Sequence, residues 1–210
     1  MAGIELVVAS FVGLAAALAA LIAVRRDLTR ARGGKILAFM ALFLLPALSI
    51  TGGFSQHMDK AQTTEFCVSC HTMSDHGRTL LIDDPSYLPA VHFQNNLVPR
   101  DRACYTCHTD YAMFGGVRAK LRGMRHLYVQ YLGNIPPPDR LRLYEPYNNR
   151  ECLHCHDGAR RFETFSAHTK TPQMLGELKS NTLSCTSSRC HDIVHDVSSL
   201  PDVTFWKGGN

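Results

Sequence analysis

Residues 67–71 read CVSCH, residues 104–108 CYTCH, residues 152–156 CLHCH and residues 185–191 CTSSRCH. Each is a cysteine pair followed at once by histidine: Cys67, Cys70 and His71; Cys104, Cys107 and His108; Cys152, Cys155 and His156; Cys185, Cys190 and His191. Together they use all eight cysteines of the 210-residue chain. An even cysteine count alone would suit a disulfide framework, and paired CxxC units would suit structural zinc. The histidine placed after every pair points instead to covalent haem c. Two thiols form thioethers to the haem vinyl groups, and the adjacent imidazole meets the iron from the same turn, so cofactor and axial ligand arrive together. The sequence thus predicts four covalently bound haems with iron ligands His71, His108, His156 and His191. The fourth motif departs from the others in carrying Thr186 to Arg189 between its cysteines.

Upstream of the motifs, residues 4–24 form an Ala-, Leu- and Val-rich run whose only charge is Glu5, long enough to cross a bilayer as one helix. No positive segment precedes this run, which argues for a retained helix over a cleaved signal peptide. A second apolar run covers residues 36–54 and contains Pro46. Between the runs, RRDLTRARGGK supplies Arg25, Arg26, Arg30, Arg32 and Lys35 against Asp27 alone. The positive-inside rule puts this loop in the cytoplasm and both ends of the hairpin in the periplasm. The expected organisation is a membrane anchor over residues 1–54 and a periplasmic tetrahaem domain over residues 55–210, in a bacterial inner membrane.

Of the 22 Lys and Arg, five precede residue 55 and 17 follow it; of the 18 Asp and Glu, two precede it and 16 follow. The larger domain is therefore close to neutral and carries no nucleic-acid footprint. Strand signals are poor, and Pro136, Pro137 and Pro138 break the chain between the first and second pairs of motifs. The fold class is mainly α: short helices bear the motifs, and packed haems replace much of an apolar core. One longer helix is expected over residues 117–132, where Val117, Leu121, Met124, Leu127, Tyr128, Tyr131 and Leu132 recur at three- and four-residue steps among Arg118, Lys120, Arg122 and Arg125. Its apolar face would cover haem or protein, or lie on a membrane surface.

Seven histidines lie outside the iron-proximal positions: His57, His76, His92, His126, His154, His168 and His195. His154 sits inside a motif, too close to fold over its own haem. His57 and His76 lie near the second apolar run and the first motif. His92, His168 and His195 occupy loops long enough to reach a neighbouring iron. Met73, two residues beyond His71, is either ordinary packing or a thioether iron ligand that raises the potential.

At these residues the sequence resembles the NapC/NirT family of membrane-anchored tetrahaem quinol dehydrogenases, including the NrfH-type anchors of cytochrome c nitrite reductase. The resemblance runs over residues 36–203. It rests on a span leading into FCVSCHTM, His92 and Asn95 ahead of CYTCH, Lys120 after it, His168 before the last motif, and CHDIVH followed by LPD. It implies a first haem at the membrane surface beside a quinol pocket, with Met73 as a ligand, and His92, His168 and His195 as distal ligands. It further implies iron ligation by a lysine matching Lys120, with His126 as a rival at a comparable place. The chain departs from the family in its extra apolar run and in its fourth motif.

The expected activity is quinol oxidation, with electrons passed singly through the haems to a periplasmic cytochrome or oxidoreductase. The membrane quinone pool and the bilayer are the other expected partners. Two alternatives stand beside it: an electron-relay anchor of a larger respiratory complex, and quinone reduction in the reverse direction. No further catalytic constellation is evident.

Overall fold

The structure, a computed structural model, describes residues 2–143, 145–192 and 194–208. It divides into two compact units, residues 1–61 and 62–210. Among the described residues the one β pairing is an isolated bridge between Ile82 and Phe205. All other regular structure is helical.

The first unit is a helical hairpin. Helix α1 spans Ala2–Val24, a 3-10 turn covers Arg26–Arg30, and α2 runs Arg32–Lys60. Gly34 is required where the turn closes, because a Cβ there would sit 1.6 Å from the Leu28 carbonyl oxygen. Within α2 the chain widens into a π turn at Met40–Leu44, where the Leu45 amide bonds the Met40 carbonyl five residues back. Pro46 explains the widening: it has no N–H to give and its ring crowds the preceding turn. The helix absorbs the proline there and continues well past Phe54.

Small residues hold the hairpin closed. Ala15, Ala41 and Ser49 are buried with Leu45, and a Cβ on Gly52 would meet Val8 at 3.1 Å. Such residues let helix backbones approach where no hydrophobic drive separates helix from lipid. Gln56 donates to the Glu5 carboxylate at 2.7 Å, and Lys60 pairs with the same oxygen. Elsewhere the apolar side chains face outward, among them Leu6, Ile36, Phe43 and Ile50.

The second unit strings short helices along irregular chain: α3 Thr64–Val68, α4 His71–Arg78, α5 Leu88–Gln94, α6 Ala103–His108, α7 Gly115–Leu132, α8 Arg150–His156, α9 Arg160–Thr164 and α10 Met174–Lys179. Its protein-only core is thin, built chiefly on Phe162, Leu178 and Cys185, with Leu80, Ile82, Ala90, Val98, Ala103 and Leu200 buried elsewhere. Polar clamps join the pieces. Asp110 pairs with Arg118 of α7 at 3.5 Å and Arg150 of α8 at 3.4 Å. Arg100 donates to the Phe93 and Gln94 carbonyls and lies 5.1 Å over the Trp206 ring.

The tightest clamp is Asn149, only 1 % exposed, directly before α8. Its amide donates to the carbonyls of Leu178 (2.8 Å) and Leu183 (2.7 Å) while its oxygen accepts from the Cys185 amide at 2.8 Å. One side chain thereby fixes the fourth motif against the third. Replacing Asn149 by alanine strands three backbone groups and should cost about 3 kcal/mol of folding stability. Denaturant midpoints of the haem-loaded protein measure this; a loss below about 1 kcal/mol would show that the clamp carries little.

Candidate haem and electron-transfer site

Helical geometry explains two of the motifs. In α6 and α8 the histidine lies four residues after the first cysteine, one helical turn on, so thiol and imidazole share a face. The first motif bridges α3 and α4, with the Thr63 side chain capping α3 through the Phe66 amide at 3.2 Å. The fourth motif is coiled rather than helical. Its extra residues bulge outward, Arg189 takes a left-handed φ of 69°, and the His191 amide still bonds the Cys185 carbonyl at 3.0 Å. Six residues here close the same loop that four close in a helix. None of the eight cysteines is paired in a disulfide, and among the described residues no three His, Cys, Asp or Glu converge as a zinc site would require.

The motifs touch in chain order. The Cys67 side chain neighbours that of Cys104, Cys107 lies near Cys152 and Cys155, and Cys152 neighbours Cys185. The pairing with Cys104 pulls the Cys67 thiol down to about 7. Each pair of attachment points thus neighbours the next in chain order.

Three remote histidines face three motif histidines. Ring centroids lie 6.2 Å apart for His108 and His195, 6.0 Å for His156 and His92, and 6.3 Å for His191 and His168. Two imidazoles bound on opposite faces of one metal ion at about 2.0 Å each place their centroids about 6 Å apart. Each remote ring is also held by its other nitrogen. Nδ1 of His92 meets the Leu88 carbonyl at 2.8 Å, and Nδ1 of His168 meets that of Phe162 at 3.1 Å. Nδ1 of His195 lies 2.7 Å from the Thr79 hydroxyl, which sits 2.6 Å from the His76 carbonyl. The hydroxyl proton goes to that carbonyl, so Thr79 accepts from His195 and the tautomer leaves Nε2 with a lone pair. Anchoring one imidazole nitrogen in this way is how ligating histidines are oriented.

Burial, reinforced by neighbouring His108 and His76, pushes His195 down to about 3. Burial likewise holds His108, His156 and His191 below the ordinary histidine value. All four therefore favour the neutral form that metal ligation needs. The residues present fit covalent haem: thiol pairs beside neutral imidazoles, with opposing imidazoles at the spacing of a shared iron.

The first motif is arranged differently. His71 is exposed and Met73 half-buried on α4. Lys120 of α7 places its Nζ 5.1 Å from the Tyr105 ring centroid and 5.9 Å from that of Phe66, beside Cys67, and burial lowers its pKa. His126, further along α7, lies near His108 and is lowered mainly by burial. Gln130 Oε1 is 3.9 Å from Cys70 Sγ. His154 stacks on Tyr111 at 3.7 Å, and the His76 ring packs edge-on against His195 at 5.5 Å. Thr79, Asn149 and Tyr147 escaped the sequence reading. Tyr147 packs at 90° on His108 and its hydroxyl donates to the Cys107 carbonyl. Nothing in the sequence separates these three from ordinary surface residues.

Comparison with known proteins agrees. The profile of the NapC/NirT cytochrome c family, N-terminal region, matches residues 30–200. The cytochrome c-type protein NapC of Escherichia coli K12 is 30% identical over 118 residues, covering 50% of this chain and 56% of that protein. The NapC of Haemophilus influenzae is 24% identical over 190 residues, 81% of this chain and 87% of the relative. The denitrification system component NirT of Stutzerimonas stutzeri is 26% identical over 144 residues, 63% and 67% respectively. The match thus spans little more than half the length of the E. coli relative. No solved structure matches the chain. With the family profile running from the second apolar helix through all four cysteine pairs, the chain belongs to the NapC/NirT cytochrome c family, membrane-anchored electron-transport proteins with covalently bound haem c.

Proposed function

We propose that this chain is a tetrahaem quinol dehydrogenase of the bacterial inner membrane, its haem domain in the periplasm, delivering electrons to a periplasmic redox partner. The observation that carries this reading is the unbroken line of motifs, from the one that follows α2 to the one nearest the C-terminus. Residues 61–66 alone separate Lys60 from Cys67, so the first motif follows the hydrophobic hairpin closely in sequence. The basic loop between α1 and α2 supports periplasmic placement. On this reading residues 1–54 are the anchor and residues 55–210 the tetrahaem domain.

Bound haem supplies reversible one-electron chemistry at iron. The chain's own residues set where and how. The cysteine pairs would hold the groups, and the imidazole pairs His108 with His195, His156 with His92, and His191 with His168 would ligate three of the irons. His195 opposite His108 leaves Lys120 unneeded at the second motif and available to the first, which it approaches beside Cys67. With His71 on the first iron, we name Met73, Lys120 and His126 as the rivals for its other ligand.

Two measurements follow. Stopped-flow mixing of the detergent-solubilised protein with a reduced menaquinol analogue should give rapid haem reduction that a quinone-site inhibitor blocks. Haems that stay oxidised with quinol but reduce with dithionite would leave an electron-relay anchor as the better account. Separately, Thr79→Val removes the acceptor on His195 Nδ1 and weakens its donation to iron, so one of the four midpoint potentials should rise by tens of millivolts, with Thr79→Ser restoring it. Four unchanged potentials would remove Thr79 from the ligand scaffold.

A further inference from the structure

Helix α7 presents three rows of side chains. The row facing the motifs contains Gly116, Lys120 and Gln130: a Cβ on Gly116 would come 3.0 Å from the Tyr105 hydroxyl, Lys120 overlies Tyr105 and Phe66, and Gln130 approaches Cys70. One residue further on, and so rotated by about 100° around the helix, runs Val117, Leu121, Met124, Tyr128 and Tyr131. Every member of that second row is exposed, from 46% at Val117 to 78% at Tyr131. Another step brings Arg118, Arg122 and Arg125. The apolar row is therefore distinct from the side that meets the haem motifs, and it is flanked by guanidinium groups.

Both ends of the helix extend the apolar surface. Met113 and Phe114 are 86% and 78% exposed, and Phe114 holds a left-handed φ of 61°, a costly backbone for an aromatic residue. Leu132, at the other end, is 77% exposed. From residue 111 to residue 138 there is no Asp or Glu, against Arg118, Lys120, Arg122 and Arg125. Arg118 and Arg122 reach Asp110 and Glu145 outside that stretch. An exposed apolar row, tyrosines within it and a basic flank on a helix that itself bears no acidic residue match a helix lying in an anionic lipid interface. The chain already carries two membrane-crossing helices, so the domain is tethered at a bilayer and such contact needs little intrinsic affinity.

We propose that α7 is a second membrane-binding element: its row Val117, Leu121, Met124, Tyr128 and Tyr131 sinks into the lipid interface, and Arg118, Arg122 and Arg125 meet anionic headgroups. This does not depend on quinol being the electron donor. The test uses the full-length haem-loaded protein in lipid nanodiscs, with a nitroxide amino acid placed in turn at positions 121, 124 and 128 and, as a control, at the exposed position 177. Collisions with oxygen and with a water-soluble nickel complex are read by electron paramagnetic resonance, and the haem spectrum of each variant checks its fold. In discs containing phosphatidylglycerol, nickel accessibility at 121, 124 and 128 should fall several-fold below that at 177 while oxygen accessibility rises. Arg122→Ser with Arg125→Ser should reverse much of that change. Nickel accessibility equal to that at 177 would overturn the proposal. So would low accessibility to both reagents irrespective of lipid, which would instead mark the row as a contact with a second copy or a protein partner.

Discussion

In the larger unit, an imidazole from a cysteine-bearing motif and an imidazole from a remote loop are held across a gap of about 6 Å, the span of two metal–nitrogen bonds and two ring radii. The spacing recurs at His108 with His195, His156 with His92 and His191 with His168. Each remote ring is pinned by its far nitrogen to a backbone carbonyl or a buried hydroxyl. A domain with so thin an apolar core owes its shape to such fixed pairs and to the clamps around them. Asn149 ties the third motif to the fourth, Asp110 ties α7 to α8, and Tyr147 locks the second motif from behind. The clamps in turn keep neighbouring motifs touching, the proximity that a chain of single-electron steps demands.

Much of this was legible in the sequence because the determining signals are local. A cysteine pair followed by histidine fits within one or two helical turns, and a run of apolar residues declares a span by length alone. The 3.6-residue rhythm of Val117, Leu121, Met124, Tyr128 and Tyr131 likewise announced α7, which the structure starts slightly earlier, at Gly115. Pairing was not legible. His195 follows the fourth motif yet faces the second, and His92 precedes the second yet faces the third, so sequence proximity misleads for both. Thr79 reads as one more small polar residue, and only its burial between the His76 carbonyl and the His195 ring reveals what it orients. The fourth motif shows the same limit: its longer spacer sets it apart from the other three in sequence, and only the structure shows that a left-handed Arg189 lets the loop close as a helical turn would.

The hairpin and the first motif differ from the rest in physical character. Small residues and an interfacial Glu5 cluster with Gln56 and Lys60 stabilise the hairpin without a water-driven core. At the first motif no remote imidazole faces His71 among the described residues; Met73 lies two residues on and the half-buried Lys120 lies over Phe66 and Tyr105. On the proposed reading, a first haem whose ligands differ from those of the other three would be tuned to a different potential.

The account rests on four haems of which three have two imidazole ligands each, and near-infrared magnetic circular dichroism of the oxidised protein, normalised to the haem content per chain, reads that count directly. Four haems per chain with bis-imidazole charge-transfer intensity equivalent to three of them, and a separate band for the fourth, is the expected result. Fewer than three bis-imidazole haems would mean that the facing rings do not share irons, and the assignment of His92, His168 and His195 would fall.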